Sequence, residues 1–258
     1  MELSLEHISF SYDKDIIIND AACLFSSGQF YAVLGPNGSG KTTLLDLISG
    51  FLSPQKGNIR IDGIDIHRKS KKELARHIAL VAQDYVINFP FLVREIVMMG
   101  RHPYIDRFSQ PTSEDYERVE NAIKACGIES LQDRKINELS GGERQRCVFA
   151  RALCQDTPIL LLDEAFSSMD ISHTLQLLRL VKRSANENGR IVISVFHDLN
   201  IASTWSDQLV MMKNGEIKRF GLSEDIFSKQ LIQDIFDVNA VVDFNPDLNA
   251  KQVYYPIN

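Results

Sequence analysis

Residues 30 to 50 read FYAVLGPNGSGKTTLLDLISG: an apolar run, then a loop rich in glycine, then a helix-like segment closed by Gly50. A strand that feeds a helix through bare backbone is the repeating unit of parallel sheets covered by helices. Gly35, Gly40, Lys41 and Thr42 fit G-x-x-x-x-G-K-[ST], in the strand-to-helix setting that a phosphate-binding loop requires. The loop of Gly35, Pro36, Asn37, Gly38, Ser39, Gly40, Lys41, Thr42 and Thr43 can wrap a phosphate, its glycines letting the backbone N–H groups, of which Pro36 has none, converge on the oxygens. The helix start adds partial positive charge, Lys41 reaches the β- and γ-phosphates, and the Thr42 hydroxyl suits Mg²⁺, a hard ion that prefers oxygen. The competing reading is a chance glycine-rich turn, and motif and context together argue against it. A nucleoside triphosphate with Mg²⁺ is the ligand this stretch implies.

Further short apolar runs, IALVAQ, PILLLDE and RIVISVFHD, each end in a polar residue and alternate with helical segments. That order predicts an α/β fold, a P-loop cassette with a mixed, mainly parallel sheet and ligands at the carboxyl ends of its strands. LSLEHISF alternates like a further strand. From Tyr85 to Ile136 the pattern turns helical, with LVREIVMMG and then SEDYERVENAIKACG, at whose start Thr112 and Asp115 are spaced as a capping box. The expected organisation is one domain over residues 1–258, with a helical subdomain inserted at about 86–150. A short tail at about 222–258 holds one helix (SEDIFSKQLIQDIF) and the runs AVVDF and KQVYYP.

Composition narrows the class. At 44% hydrophobic and 24% charged the chain is ordinary for a globular protein, and its net charge of -6 argues against a nucleic-acid partner. No run reaches the roughly 18 apolar residues of a membrane helix, and MELSLEHISF lacks the features of a signal peptide. A cytoplasmic setting is expected. Cys23, Cys126, Cys147 and Cys154 show no metal-binding spacing and are read as reduced packing residues.

In ILLLDE, a buried strand delivers Asp163 to its end, where a carboxylate can hold the Mg²⁺ shell. Glu164 follows, placed to orient an attacking water, since phosphoryl transfer depends mostly on positioning and charge. LSGGERQR, residues 139 to 146, is a second glycine-led helix start, with Ser140 as its cap. One phosphate loop does not need two such starts.

This combination resembles the ATP-binding-cassette ATPases, over nearly the whole chain and in the family's order. Tyr12 matches the aromatic that stacks on adenine, residues 35 to 42 the Walker A loop, and Gln83 the Q-loop residue near Mg²⁺. Ser140, Gly141, Gly142 and Glu143 match the signature, residues 159 to 164 Walker B, SSMD (167 to 170) the D-loop, and His197 the switch histidine. The resemblance implies ATP hydrolysis by Lys41, Glu164 and His197, and a head-to-tail pair of copies in which the signature of one caps ATP on the other. His7, His67, His77, His102 and His173 have no such context and are read as structural. Ala165 and Phe166 stand where the family often has Pro-Thr, and Met169 where it usually has leucine; the expected effect is on loop packing and coupling, not on hydrolysis.

With no membrane helices, the chain resembles a separate ATPase subunit docked peripherally on permease subunits at the cytoplasmic face, and served indirectly by an extracytoplasmic solute-binding protein. Residues 97 to 103, VMMGRHP, are similar to a segment in ATPases of iron–siderophore, haem and cobalamin importers. An iron(III)-siderophore or related chelate is the expected cargo. Haem, cobalamin, another metal or oxyanion, and a cassette ATPase without a membrane partner are the alternatives. The bland reading of Arg101 to Tyr104 is a helix ended by Gly100 and Pro103.

Overall fold

Alternate residues of the parallel strands face two different cores. In β3 (Phe30–Leu34), Phe30, Ala32 and Leu34 face one core while Tyr31 and Val33 face another. The structure, a computed structural model, describes residues 1–83 and 89–256. The chain opens with β1 (Glu2–Tyr12), β2 (Asp15–Ser26), β3 and α1 (Lys41–Ile48), followed by β4 (Lys56–Ile61), β5 (Ile64–Asp65), α2 (Lys71–Leu74) and β6 (Ile78–Val81). Then come α3 (Val93–Met98), α4 (Ser113–Ala125), α5 (Gly141–Cys154), β7 (Ile159–Asp163), α6 (Ile171–Asn188), β8 (Ile191–Val195) and α7 (Leu199–Trp205). β9 (Gln208–Lys213), β10 (Glu216–Leu222), α8 (Ser223–Ile226), α9 (Lys229–Phe236), β11 (Val241–Asn245) and β12 (Ala250–Tyr254) complete it.

A six-stranded sheet has the order β10-β9-β3-β8-β7-β6, with β9, β3, β8, β7 and β6 parallel and β10 returning antiparallel. The mainly parallel α/β core is therefore as expected. Its parallel strands are buried on both faces, which is why they read as near-continuous apolar runs, whereas the antiparallel edge strand β10 is largely exposed. One face packs against α5, α6, α7 and α9. The other packs against α1 and a separate antiparallel sheet of order β2-β1-β4-β5, of which sequence reading assigned only β1. The alternation in that sheet is interrupted by register shifts between Leu5 and Ser11, beginning at the left-handed His7 (φ 51°).

The expected start of the helical segment near residue 86 lies outside the described residues. Within them, α3, α4 and α5 share the core of the main sheet, and α5 runs on to Cys154, past the expected limit near residue 150. The Thr112–Asp115 capping box is formed, as expected. The tail differs from its expectation: SEDIFSKQLIQDIF is two helices, not one. The break falls at Phe227, fully buried, and Ser228, whose hydroxyl caps α9 by accepting from the Leu231 N–H. AVVDF and KQVYYP pair as the hairpin β11–β12, and residues 257–258 lie outside the described residues.

All four cysteines are free. Cys126, Cys147 and Cys154 are buried, and burial pushes the Cys147 and Cys154 thiols up to about 12, as fits inert packing groups. Among the described residues no helix is long and apolar enough to cross a membrane.

Candidate active site

The carboxyl ends of β3, β7 and β8 meet at one open cleft of about 480 Å³. Tyr12, Ile17, Asn37, Gly38, Gly40, Lys41, Thr42, Thr43, Gln83, Glu164 and His197 line it. α1 starts there with Gly40 at φ 95° and no side-chain cap, so the first N–H groups of the helix keep their capacity for an anion. Gly40 has no alternative: a Cβ would lie 2.8 Å from the Ile17 carbonyl oxygen. At Gly35 a Cβ would lie 2.3 Å from the Met212 carbonyl oxygen, so the loop backs directly onto β9. Pro36 accepts from the Ser39 N–H (3.2 Å), closing the turn.

Lys41, buried, donates from Nζ to the carbonyl oxygens of Gly35 and Pro36, both at 2.9 Å. Burial pushes its pKa below the usual lysine range, and the charges of Glu164 and Asp163 pull it back up. Asp163, the last residue of β7, lies beneath the cleft and is 3% exposed. Burial raises its carboxyl above the usual range, against which the Thr42 side chain acts by hydrogen bonding. Among the described residues, Asp163 Oδ1 and Ser39 Oγ are buried with no hydrogen-bond partner. A buried carboxylate oxygen left unpartnered beside a threonine hydroxyl fits Mg²⁺, which is typically held by one or two carboxylates and the substrate's phosphates. No cluster of three or more His, Cys, Asp or Glu among the described residues suggests any other metal centre.

Glu164 leaves β7 at φ 49°, a left-handed backbone that costs energy away from glycine and turns its side chain sharply. Its carboxylate bridges two elements. Gln83 Nε2 donates to Oε2 at 2.8 Å, and His197 Nε2 lies 2.5 Å from Oε1. The Gln83 amide oxygen is the end a cation would take. Tyr12 is 48% exposed at the cleft margin and is braced edge-on by Phe10 at 4.9 Å, an arrangement that leaves a ring face for stacking.

Of the residues expected at the nucleotide, Tyr12, Asn37, Gly38, Gly40, Lys41, Thr42, Thr43, Gln83, Glu164 and His197 line this cleft, whereas Gly35, Pro36, Ser39, Asp163 and the signature residues are not in its lining. Ser140 caps α5 through a capping box with Glu143, donating from its N–H and hydroxyl to Glu143 Oε2, both at 2.8 Å. Those bonds hold the Glu143 carboxyl below its usual range. Ser140 and Gly141 are exposed, and neither they nor Gly142 and Glu143 line the chain's own cleft. Ile17 was missed by sequence reading, as a lone isoleucine in a strand gives no signal.

Arg101, in the segment read as a cargo marker, is 5% exposed. It donates to Asp115 Oδ1 (2.9 Å) and the Cys154 carbonyl (3.1 Å), and its guanidinium sits 4.0 Å from the Tyr104 ring centroid. Gly100 presses onto the backbone of α5, where a Cβ would meet the Arg151 carbonyl oxygen at 2.4 Å. The local role of GRHPY is to knot α3, α4 and α5 together.

The family model described as "ABC transporter" matches residues 18–167. A cobalamin import ATP-binding protein of Halobacterium salinarum is 37% identical over 92% of the chain, which spans only 59% of that relative's length. The ferric enterobactin transport ATP-binding protein of Escherichia coli K12 is 36% identical, covering 93% of the chain and 89% of the relative. Among solved structures, one described as an inward-facing ABC transporter of metal-chelate type aligns at a TM-score of 0.83 and 26% identity, covering 98% of this chain and 96% of the other. The chain belongs to the ABC transporter family, and its fold is that of an ATP-binding cassette.

Proposed function

We propose that this chain is the ATP-hydrolysing subunit of a membrane importer that energises uptake of an iron(III)-siderophore or related iron chelate. The observation that carries the enzymatic part is Glu164: a carboxylate held by Gln83 and His197 over a phosphate loop, with Lys41 and Asp163 beside it. Lys41 pairs with the β- and γ-phosphates, and Tyr12 stacks on the base. Glu164 orients and polarises the attacking water, and His197 donates to the γ-phosphate. Thr42 and Asp163, with Gln83, hold Mg²⁺, which supplies charge neutralisation on the phosphates when bound.

The exposed start of the signature helix supports a two-fold assembly. Ser140, Gly141, Gly142 and Glu143 of one copy meet the nucleotide in the cleft of the other, adding a helix amino terminus to each site. The pair sits peripherally at the cytoplasmic face, on permease subunits supplied by a solute-binding protein. The cargo class rests on relatives such as the ferric enterobactin transport protein, because Arg101 itself is occupied internally. The 37% identical cobalamin import relative favours cobalamin as the second reading.

Deleting the gene should lower accumulation of labelled ferric siderophore, and a Lys41→Ala copy should fail to restore it. Normal siderophore uptake with defective cobalamin uptake would keep the mechanism and overturn the cargo. No uptake defect of any kind would favour an ATPase uncoupled from transport.

A further inference from the structure

From sequence, Phe166, two residues after Glu164, was expected to affect loop packing and coupling and not hydrolysis. Its ring lies parallel to that of Phe196, with centroids 5.7 Å apart and planes at 3°. Phe196 immediately precedes His197, and its N–H donates to the Val33 carbonyl (3.2 Å) just beyond the end of β8, so His197 is the first residue outside the sheet's bonding. The His197 side chain is 49% exposed, hence not fixed by burial, and it reaches the Glu164 carboxylate. Phe166 and Phe196 are themselves buried, at 9% and 5% exposure. Together with Glu164 and His197 they wall a groove of about 290 Å³, so the stack has open space on one side rather than a filled core. A third ring, Phe149 on α5, lies 5.9 Å from Phe166 at 47°. One side chain therefore touches the segment that leaves β7 and the segment that leaves β8. It also touches the helix whose exposed start carries Ser140.

We infer that Phe166 is a positioning residue for hydrolysis: its stack on Phe196 sets where His197 meets Glu164, and Phe149 ties the signature helix to that same geometry. Small displacements of a reacting constellation cost rate far more than affinity, and parallel aromatic faces resist sliding apart in a way a flexible aliphatic side chain does not. The inference rests on the roles proposed above for Glu164 and His197.

The test uses the full chain with its membrane partner, measuring phosphate release and labelled ATP binding for Phe166→Leu, Phe166→Tyr and a control, Phe227→Leu. Phe227 is fully buried in the same core but in the tail. Phe166→Leu should lower kcat roughly tenfold with little change in ATP affinity, whereas Phe166→Tyr should keep most of the rate. In a His197→Ala background, Phe166→Leu should add no further loss, because it acts through the residue already removed. A rate for Phe166→Leu equal to that of Phe227→Leu, or an undiminished proportional loss in the His197→Ala background, would overturn the inference. A slow Glu164→Gln beside a normal Phe166→Leu overturns it alone. A normal rate in Glu164→Gln overturns the site assignment and this inference with it.

Discussion

Arg101 and Lys41 are both buried cations that follow a glycine in a short motif, and each has a buried aspartate nearby, yet their surroundings are opposite. Around Arg101 the donors and acceptors are matched within the chain: the Asp115 carboxylate, the Cys154 carbonyl and the Tyr104 ring take the guanidinium, and Thr112 donates to the other Asp115 oxygen. Burial alone would raise the Asp115 pKa, but hydrogen bonds from Arg101 and Thr112 bring it below the usual range. Around Lys41 the accounts do not close. Asp163 keeps an unpartnered oxygen and a raised pKa, and Ser39 keeps an unpartnered hydroxyl. Lys41 rests on backbone carbonyls of its own loop, with its pKa lowered by burial. A satisfied buried pair holds helices together. An unsatisfied one keeps its bonding capacity for a ligand.

The contrast breaks most visibly in turnover. Glu164→Gln should retain ATP binding while phosphate release falls roughly 10²- to 10⁴-fold, because an amide cannot accept the proton from water. Wild-type turnover in this variant would remove Glu164 from its role.

The satisfied pair should respond in stability instead. Arg101→Ala should destabilise the fold by about 3–5 kcal/mol in chemical denaturation, since it strands a buried carboxylate. Replacing both partners, Arg101→Met with Asp115→Leu, should recover most of that and leave ATP hydrolysis near the wild-type rate. Lost hydrolysis in a stable double variant would show that the knot has a catalytic role.

Much of the cleft was legible in sequence because its parts are local. The loop of Gly35 to Thr43, the strand ending in Asp163 and Glu164, and the helix capped by Ser140 each state their geometry within ten residues. What sequence concealed depends on distant pairing. The β1–β4 contact joins Leu3 to Ile61, and the Phe166–Phe196 stack exists only because β7 and β8 are parallel neighbours. The tail misled for a different reason: Phe227 sustains the apolar pattern of a helix although the chain breaks there to bury it. At Arg101 the motif was visible but its partners, Asp115 and Cys154, were not.

The buried Asp163 carboxyl should also leave a smaller mark on the pH dependence of stability. Asp163 has a raised folded-state pKa, so the folded chain holds the proton longer than the unfolded chain. Stability from this group is therefore greatest below the unfolded value, about 3.9, and declines as pH rises to the folded pKa. Asp163→Asn cannot ionise, so its stability relative to the wild type, without nucleotide or Mg²⁺, should improve as pH rises from about 4 to 7. A difference that is flat in pH, measured by denaturant titration, would mean that Asp163 is not destabilised by its burial.

If the unsatisfied cleft of one copy is completed by nucleotide and by the signature helix of another, ATP should bring two chains together. Light scattering on the purified Glu164→Gln chain, with and without saturating ATP and Mg²⁺, tests it directly. The prediction is a mass of one chain without nucleotide and of two with it, the change being abolished when Lys41→Ala is added. A mass that stays at one chain under saturating ATP and Mg²⁺, with the membrane partner present as well as without it, would contradict the claim.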